Sequence, residues 1–377
     1  MLLRKIVLSL IPLMAIFMVR AQSSLAPKYS NDFLSIGVDA RALGMSNSVV
    51  AGVNDVTSGY WNPAGLVQME TMLDFGIMHA EYFAGISKYD YIGAAYKIDE
   101  KSAVGITGIR FGVDNIPNTT QLIDADGNVN YDNITTFTAA DYGFLLTYSR
   151  ELSIPRLYVG GNVKIVYRQV GDFAHSWGFG LDAGIQYHLK KNWKFGAVLR
   201  DATSTFNAWV FKLDDVTKDV WLQTGNELPE NGLELTLPRL ILGAQGDFKF
   251  GKGFYGLFEM DFDFTFDGRR NVLVRTAPIS IDPHLGVELG WKQYVALRAG
   301  FGNFQFETQF DGSEKLSFQP NIGIGIGFKG IRLDYAFTDI GNQSVALYSH
   351  IFSLKFRIKG KRDKQQQKGN ETTPKNE

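Results

Sequence analysis

The sequence predicts an all-β fold: a 14-stranded antiparallel transmembrane β-barrel with an N-terminal hatch in its lumen. Three observations point there. Apolar and polar residues alternate with period two from about residue 71 onward. The connections between alternating segments tend to switch between short and long. A stretch of about fifty residues without sustained alternation precedes the first segment.

The chain has 377 residues, 40 Gly, 28 Phe and no Cys. Abundant aromatics and Gly favour β structure over helix. The mean hydropathy of −0.08 would by itself indicate a soluble protein. The net charge of −1 provides no global field for nucleic acid. The lack of Cys excludes disulfides, thiolate metal sites and cysteine nucleophiles together.

Residues 1–21 read as an export signal. Arg4 and Lys5 precede an apolar run over 6–19, and Val19 and Ala21 put small residues at the −3 and −1 positions. No later run has about 18 consecutive apolar residues, so no membrane helix is expected. Residues 22–70 are assigned to the hatch, 71–359 to the barrel, and 360–377 to a disordered, basic periplasmic tail.

Fourteen segments alternate: 71–83, 85–98, 101–112, 137–150, 156–170, 174–189, 193–201, 236–250, 253–266, 280–291, 293–302, 316–328, 330–338 and 347–359. The clearest puts Phe254, Phe258, Met260, Phe262, Phe264 and Phe266 on one face, and Tyr255, Glu259, Asp261, Asp263 and Thr265 on the other. Lipid suits the first face. The second, with Glu259, Asp261 and Asp263, is expected to be a wet lumen wall, because a misplaced charge at mid-bilayer costs roughly 2–4 kcal/mol. Gly323, Gly325 and Gly327 share one face, which suggests close packing against the wall there. Tyr82, Trp193, Trp291 and Tyr294 near strand ends suit interfacial girdles.

Short connections near 99–100, 151–155, 190–192, 251–252, 291–292 and 329–330 read as periplasmic turns. Long ones at 113–136, 202–235, 267–279, 303–315 and 339–346 read as external loops. A soluble β-sandwich is the competing architecture; strands of 10–14 residues argue against it. Fourteen strands enclose more space than wall side chains fill, so the lumen is open or plugged.

The plug is expected in 22–70. Asn62 can cap a helix start and Pro63 suits its first position. Arg41 is expected to pair with a lumenal carboxylate such as Asp261 or Asp263. An ordinary periplasmic extension is the alternative.

Phe33 through Met45 (FLSIGVDARALGM), with Asp55 and Tyr60-Trp61-Asn62-Pro63-Ala64-Gly65-Leu66, resembles the N-terminal signature of the PorV/PorQ family. The closing strands over 333–358 are similar as well. The resemblance is close over 33–66 and architectural elsewhere. The family is related to the FadL-type transporters, which carry an Asn-Pro-Ala element in an N-terminal hatch. The resemblance implies a fourteen-stranded barrel in the outer membrane of a Gram-negative, Bacteroidetes-like bacterium. It also implies a role in type IX secretion with a secretion-system protein or exported cargo as partner. The hatch motif is then Arg41, Trp61, Asn62, Pro63, Ala64 and Gly65. The segment 41–45 is less Gly-rich than in PorV itself, so the resemblance points to the family rather than to one member.

Two functions follow. One is a non-enzymatic barrel acting with a protein partner in secretion or surface display, its recognition carried by the loop 202–235 through Trp209, Phe211 and Trp221. The other is FadL-like transport of a hydrophobic small molecule. No cofactor, metal or nucleic acid is expected. The five His lack metal-ligand spacing. Residues 124–128 resemble the start of a calcium loop, but Thr135 stands where a bidentate Glu belongs, so a turn is expected. No nucleophile elbow or phosphate loop is present.

Overall fold

The structure, a computed structural model, describes residues 29–123, 128–189, 192–340 and 348–360. The expected export signal, the acidic part of the turn at 124–127 and all of the expected tail beyond residue 360 lie outside the described residues.

Each of the fourteen alternating segments forms one barrel strand. They are β1 (Leu73–Tyr82), β2 (Ser87–Lys97), β3 (Ser102–Asn118), β4 (Thr135–Glu151), β5 (Leu157–Val170), β6 (Ala174–Leu189) and β7 (Trp193–Arg200). The rest are β8 (Arg239–Gly251), β9 (Phe254–Thr265), β10 (Ser280–Trp291), β11 (Val295–Thr308), β12 (Glu314–Phe328), β13 (Ile331–Thr338) and β14 (Ser349–Ile358). Every neighbour pair is antiparallel. Pairing of β1 with β14, from Leu73↔Ile358 to Glu81↔His350, closes the ring. Closure leaves no unpaired edge at membrane depth, as lipid requires. No helix among the described residues is long and apolar enough to cross a membrane; the strands do so.

The molecule is apolar on the outside. Ile92 is 63% exposed and Leu289 59%. The wall's inner face meets a second chain segment. Residues 29–70 fold into short turns of helix and lie inside the barrel, where Val38, Ala40, Met45, Trp61, Leu66 and Met69 are buried. Wall residues Met78, Tyr89, Tyr91, Ile109 and Leu145 pack with part of this segment in one hydrophobic core.

Several expected loops are more ordered than the alternation indicated. β3 and β4 continue through 113–118 and 135–136. The expected loop 303–315 is mostly strand, with a turn left at 309–313. In these outer parts both faces are polar or mixed, so the period-two signal fades although the ladder persists. The expected loop 202–235 is a folded flap: strand Thr205–Phe211, helix α1 (Asp215–Gln223) and strand Gly232–Thr236. Its first strand pairs with the outer end of β6. Trp193 and Trp291 are exposed at the short-turn rim. Tyr82 is a correction: it turns inward, edge-on to Tyr89 at 6.4 Å, and no girdle position remains for it.

Candidate functional site

The lumen is the most elaborated part of the molecule. The stretch around Asn62 shows how it is built. Asn62 has an extended backbone, and its Oδ1 accepts the Ala64 N–H at 3.1 Å, capping the 3-10 helix Pro63–Gln68. Its amide nitrogen donates to the Val50 carbonyl (2.9 Å) and to Ile185 on β6 (3.2 Å). One side chain thus ties the helix start, the preceding loop and the wall together. Pro63 occupies the first helical position, where a missing N–H costs nothing. The Ala64 carbonyl accepts the Ser149 hydroxyl of β4 at 3.0 Å. A Cβ on Gly65 would lie 2.1 Å from the Val53 carbonyl oxygen, so only Gly fits there.

Trp61 donates its indole N–H to the Val38 carbonyl at 2.9 Å, and the Tyr60 hydroxyl donates to Leu34 at 2.7 Å. Arg200 of β7 lies over both rings, 4.7 Å from Tyr60 and 5.6 Å from Trp61. It also donates to the carbonyls of Leu34 and Tyr60. This cation–π and hydrogen-bonding clamp fixes the middle of the segment.

Arg41 pairs with Glu288 of β10 at 3.0 Å, not with Asp261 or Asp263. Glu288 also accepts from Arg298, which bonds Asp334 at 2.8 Å. Asp261 is taken by backbone instead: its Oδ2 accepts the N–H groups of Val49 (2.9 Å) and Val50 (3.0 Å). Glu259 accepts those of Ala51 (2.6 Å) and Gly52 (3.2 Å). Asp263 pairs with Arg239 at 3.2 Å. The expected wet wall is therefore dry at Glu259 and Asp261, which are 0% and 1% exposed. Loop amides bond one oxygen of each carboxylate, Asp261 Oδ2 and Glu259 Oε1, and the second oxygen of each has no partner within the protein.

A second anchor joins the segment to the last strand. Lys355 of β14 contacts Asp39 and lies 2.7 Å from Asp55. Burial alone would raise the Asp55 pKa, but Lys355 and Arg357 hold it well below the usual carboxylate range. Asp39 and Asp55 lie in the signature stretch but no pairing was expected of them, and on the strands Arg200, Glu288, Arg298 and Lys355 were not assigned to the site from sequence. Inward strand parity carrying a charge was the available signal; the identity of each partner was not.

Close approach completes the seating. A Cβ on Gly300 would lie 2.3 Å from the Met45 carbonyl carbon, and one on Gly323 would lie 3.3 Å from the Gly44 Cα.

Two chambers flank the segment. One of about 670 Å³ opens toward the long loops and combines apolar Leu43, Trp61 and Phe111 with polar Asp263, Asp282 and His284. The other, about 300 Å³, faces the short turns and is lined by charges such as Arg41, Asp55, Glu288 and Lys355.

Over the long-loop end sits the flap. Trp209 donates to Glu234 at 2.8 Å, lies under Arg168 at 5.1 Å and stacks near Phe211 at 6.1 Å. Glu234 also accepts the Ser30 hydroxyl, so the flap is tied to the start of the lumenal segment. Trp221 lies apart, on α1. Trp209 and Phe211 thus stand in strand rather than open loop, and the three aromatics are not brought to one point.

The profile of the family described as "Type IX secretion system protein PorV" matches residues 21–227, more than half of the chain. No curated protein matches. Among solved structures, the CymD monoaromatic hydrocarbon channel superposes with a TM-score of 0.53 at 12% identity, covering 86% of this chain and 98% of that one. The Pseudomonas putida toluene transporter TodX gives 0.51 at 12%, covering 86% and 99%. At these identities the likeness establishes the fold, a closed β-barrel of the same architecture, and no more. Closed barrel, apolar outer face and matched profile together assign the chain to the PorV family of type IX secretion proteins in the Gram-negative outer membrane.

Proposed function

We propose that this barrel works in type IX secretion as a closed docking body, with residues 29–70 as a hatch that stays seated while protein partners bind the outside. The carrying observation is that the segment is anchored around the ring: to β6 through Asn62, to β9 through Glu259 and Asp261, to β10 through Arg41 and to β14 through Lys355. Breaking several buried polar anchors at once is needed to unseat it. The partner is a secretion-system protein or exported cargo, and the host a Bacteroidetes-like bacterium. The body is non-enzymatic.

The flap would carry recognition of cargo. Trp209 and Phe211 brace it, and α1 with Trp221 is the part offered outward. Deleting 206–222 is expected to abolish cargo capture while the barrel keeps the heat-modifiable gel mobility of a folded state. Retained capture would overturn this reading.

One observation favours a second reading, transport of a small apolar molecule: the outer chamber places Leu43, Trp61 and Phe111 beside polar groups. In that case Asn62→Ala should change uptake of a hydrophobic probe by cells. Unchanged uptake counts against it.

A further inference from the structure

The loop 49–52 sits on two neighbouring carboxylates of β9, and the hydrogen bonding beneath it is unbalanced. Glu259 Oε1 and Asp261 Oδ2 take the four loop amides. Glu259 Oε2 and Asp261 Oδ1 are buried without a hydrogen-bond partner. So is Oε1 of Gln245, the residue that faces Glu259 across the β8–β9 ladder. All three residues are at most 1% exposed.

Two of these oxygens converge. A Cβ on Gly52 would lie 1.6 Å from Gln245 Oε1 and 2.9 Å from Glu259 Oε2, so both point to the space that Gly52 leaves beside the loop. Both are acceptors, and no protein donor stands between them. Turning the Gln245 amide over moves the conflict without removing it. Its nitrogen donates to Asp247 Oδ1 at 2.6 Å; reversed, its oxygen would face that carboxylate instead. Lys194 already pairs with the other oxygen of Asp247, at 3.0 Å. The row Glu259–Gln245–Asp247 therefore lacks one donor hydrogen in either orientation.

The surrounding charge decides what supplies it. Among the described residues no cation pairs with Glu259 or Asp261: Arg41 is 3.0 Å from Glu288, and Lys194 is on Asp247. Asp263, next on the same face, pairs with Arg239. Two ionised carboxylates side by side in a dry site repel each other and bear the cost of desolvation, and such pairs hold one proton between them. A metal ion takes about four or more ligands, whereas two oxygens converge here. A bridging water would satisfy both oxygens and leave both charges in place.

We propose that Glu259 and Gln245 form a binding site for one proton. Glu259 stands as a neutral carboxylic acid whose Oε2–H donates to Gln245 Oε1, while its Oε1 keeps the Ala51 and Gly52 amides. The loop is thereby seated over two carboxylates with one negative charge instead of two. Gly52, Lys194, Gln245 and Asp247 line the chamber on the short-turn side, whereas Asp261 lines the outer one. The proton is exchanged from the short-turn side. The site is independent of which partner the barrel binds.

The test is difference infrared spectroscopy of the full chain in lipid bilayers at neutral pH. Native protein minus Glu259→Gln should show the carbonyl stretch of a protonated carboxyl group. Gln245→Leu should move that band to higher frequency, because the acid loses its acceptor. Protease access to 29–70 in barrels that keep heat-modifiable mobility gives a second reading. The Glu259→Gln side chain reproduces the neutral acid, with an oxygen for the two amides and an N–H for Gln245. Access should stay at the native rate in Glu259→Gln and rise roughly tenfold in Glu259→Ala. No protonated-carboxyl band, a band that survives Glu259→Gln or stays in place in Gln245→Leu, or equal loosening in the Gln and Ala variants would overturn the proposal. Sodium-dependent seating without the band would overturn it too, by assigning the site to a metal ion.

Discussion

Asn62 and Lys355 show how single side chains hold residues 29–70 against the inner wall. Asn62→Ala removes three hydrogen bonds and leaves the buried Ala64 N–H without its side-chain acceptor, while the Val50 carbonyl keeps the Gln186 amide. A loss of about 1–3 kcal/mol in seating is expected, read as faster proteolysis of 29–70 in folded barrels. Lys355→Met leaves Asp39 without its cation and Asp55 with Arg357 alone, at 3.4 Å. A loss of about 3–5 kcal/mol is expected, partly restored by Asp39→Asn in the same chain. Asp55 also sets a pH dependence. Its folded pKa is depressed, so its contribution is present above the unfolded value near 4 and is lost as pH falls through the folded one. Protease access to 29–70 should therefore stay low at neutral pH and rise in strong acid; loosening between pH 5 and 7 would contradict this. Asn62-Pro63 was legible because capping is local. The Lys355 contacts were not, because they join residues about 300 apart in sequence, and parity gives a face without giving a partner.

At the scale of elements, period two identified all fourteen strands because each has one lipid face and one lumen face. It failed where that asymmetry ends. β3, β4, β11 and β12 run on into the exterior, and the flap forms its own small sheet there. The expectation of close packing on the Gly face of β12 holds at Gly323, which meets Gly44, while Gly327 meets the Gln293 carbonyl of the adjoining turn. Gly300 makes the tighter approach. Gly300→Val should cost about 1–3 kcal/mol through overpacking against Met45. The expected readout is a lower temperature for release of the lumenal segment with barrel unfolding little changed; an unaltered release temperature would count against the packing.

For the whole molecule, the arrangement inverts that of a soluble protein. Its outside is apolar, and its inside is a second, largely buried chain segment held by paired charges and backbone amides. Composition concealed this, since a mean hydropathy near zero averages the two faces. The lumen was legible as a space to be filled, and its filling as residues without alternation. The dry state of Glu259 and Asp261 was not legible, because carboxylates on a strand face signal water unless the covering loop is known. The central claim is that this lumen is closed and stays closed. Single-channel recording of the purified protein in planar bilayers tests it most directly. The account predicts no sustained ionic current for the native barrel and a current when Lys355→Met is combined with Asn62→Ala. A steady ohmic pore current from the native protein would contradict it.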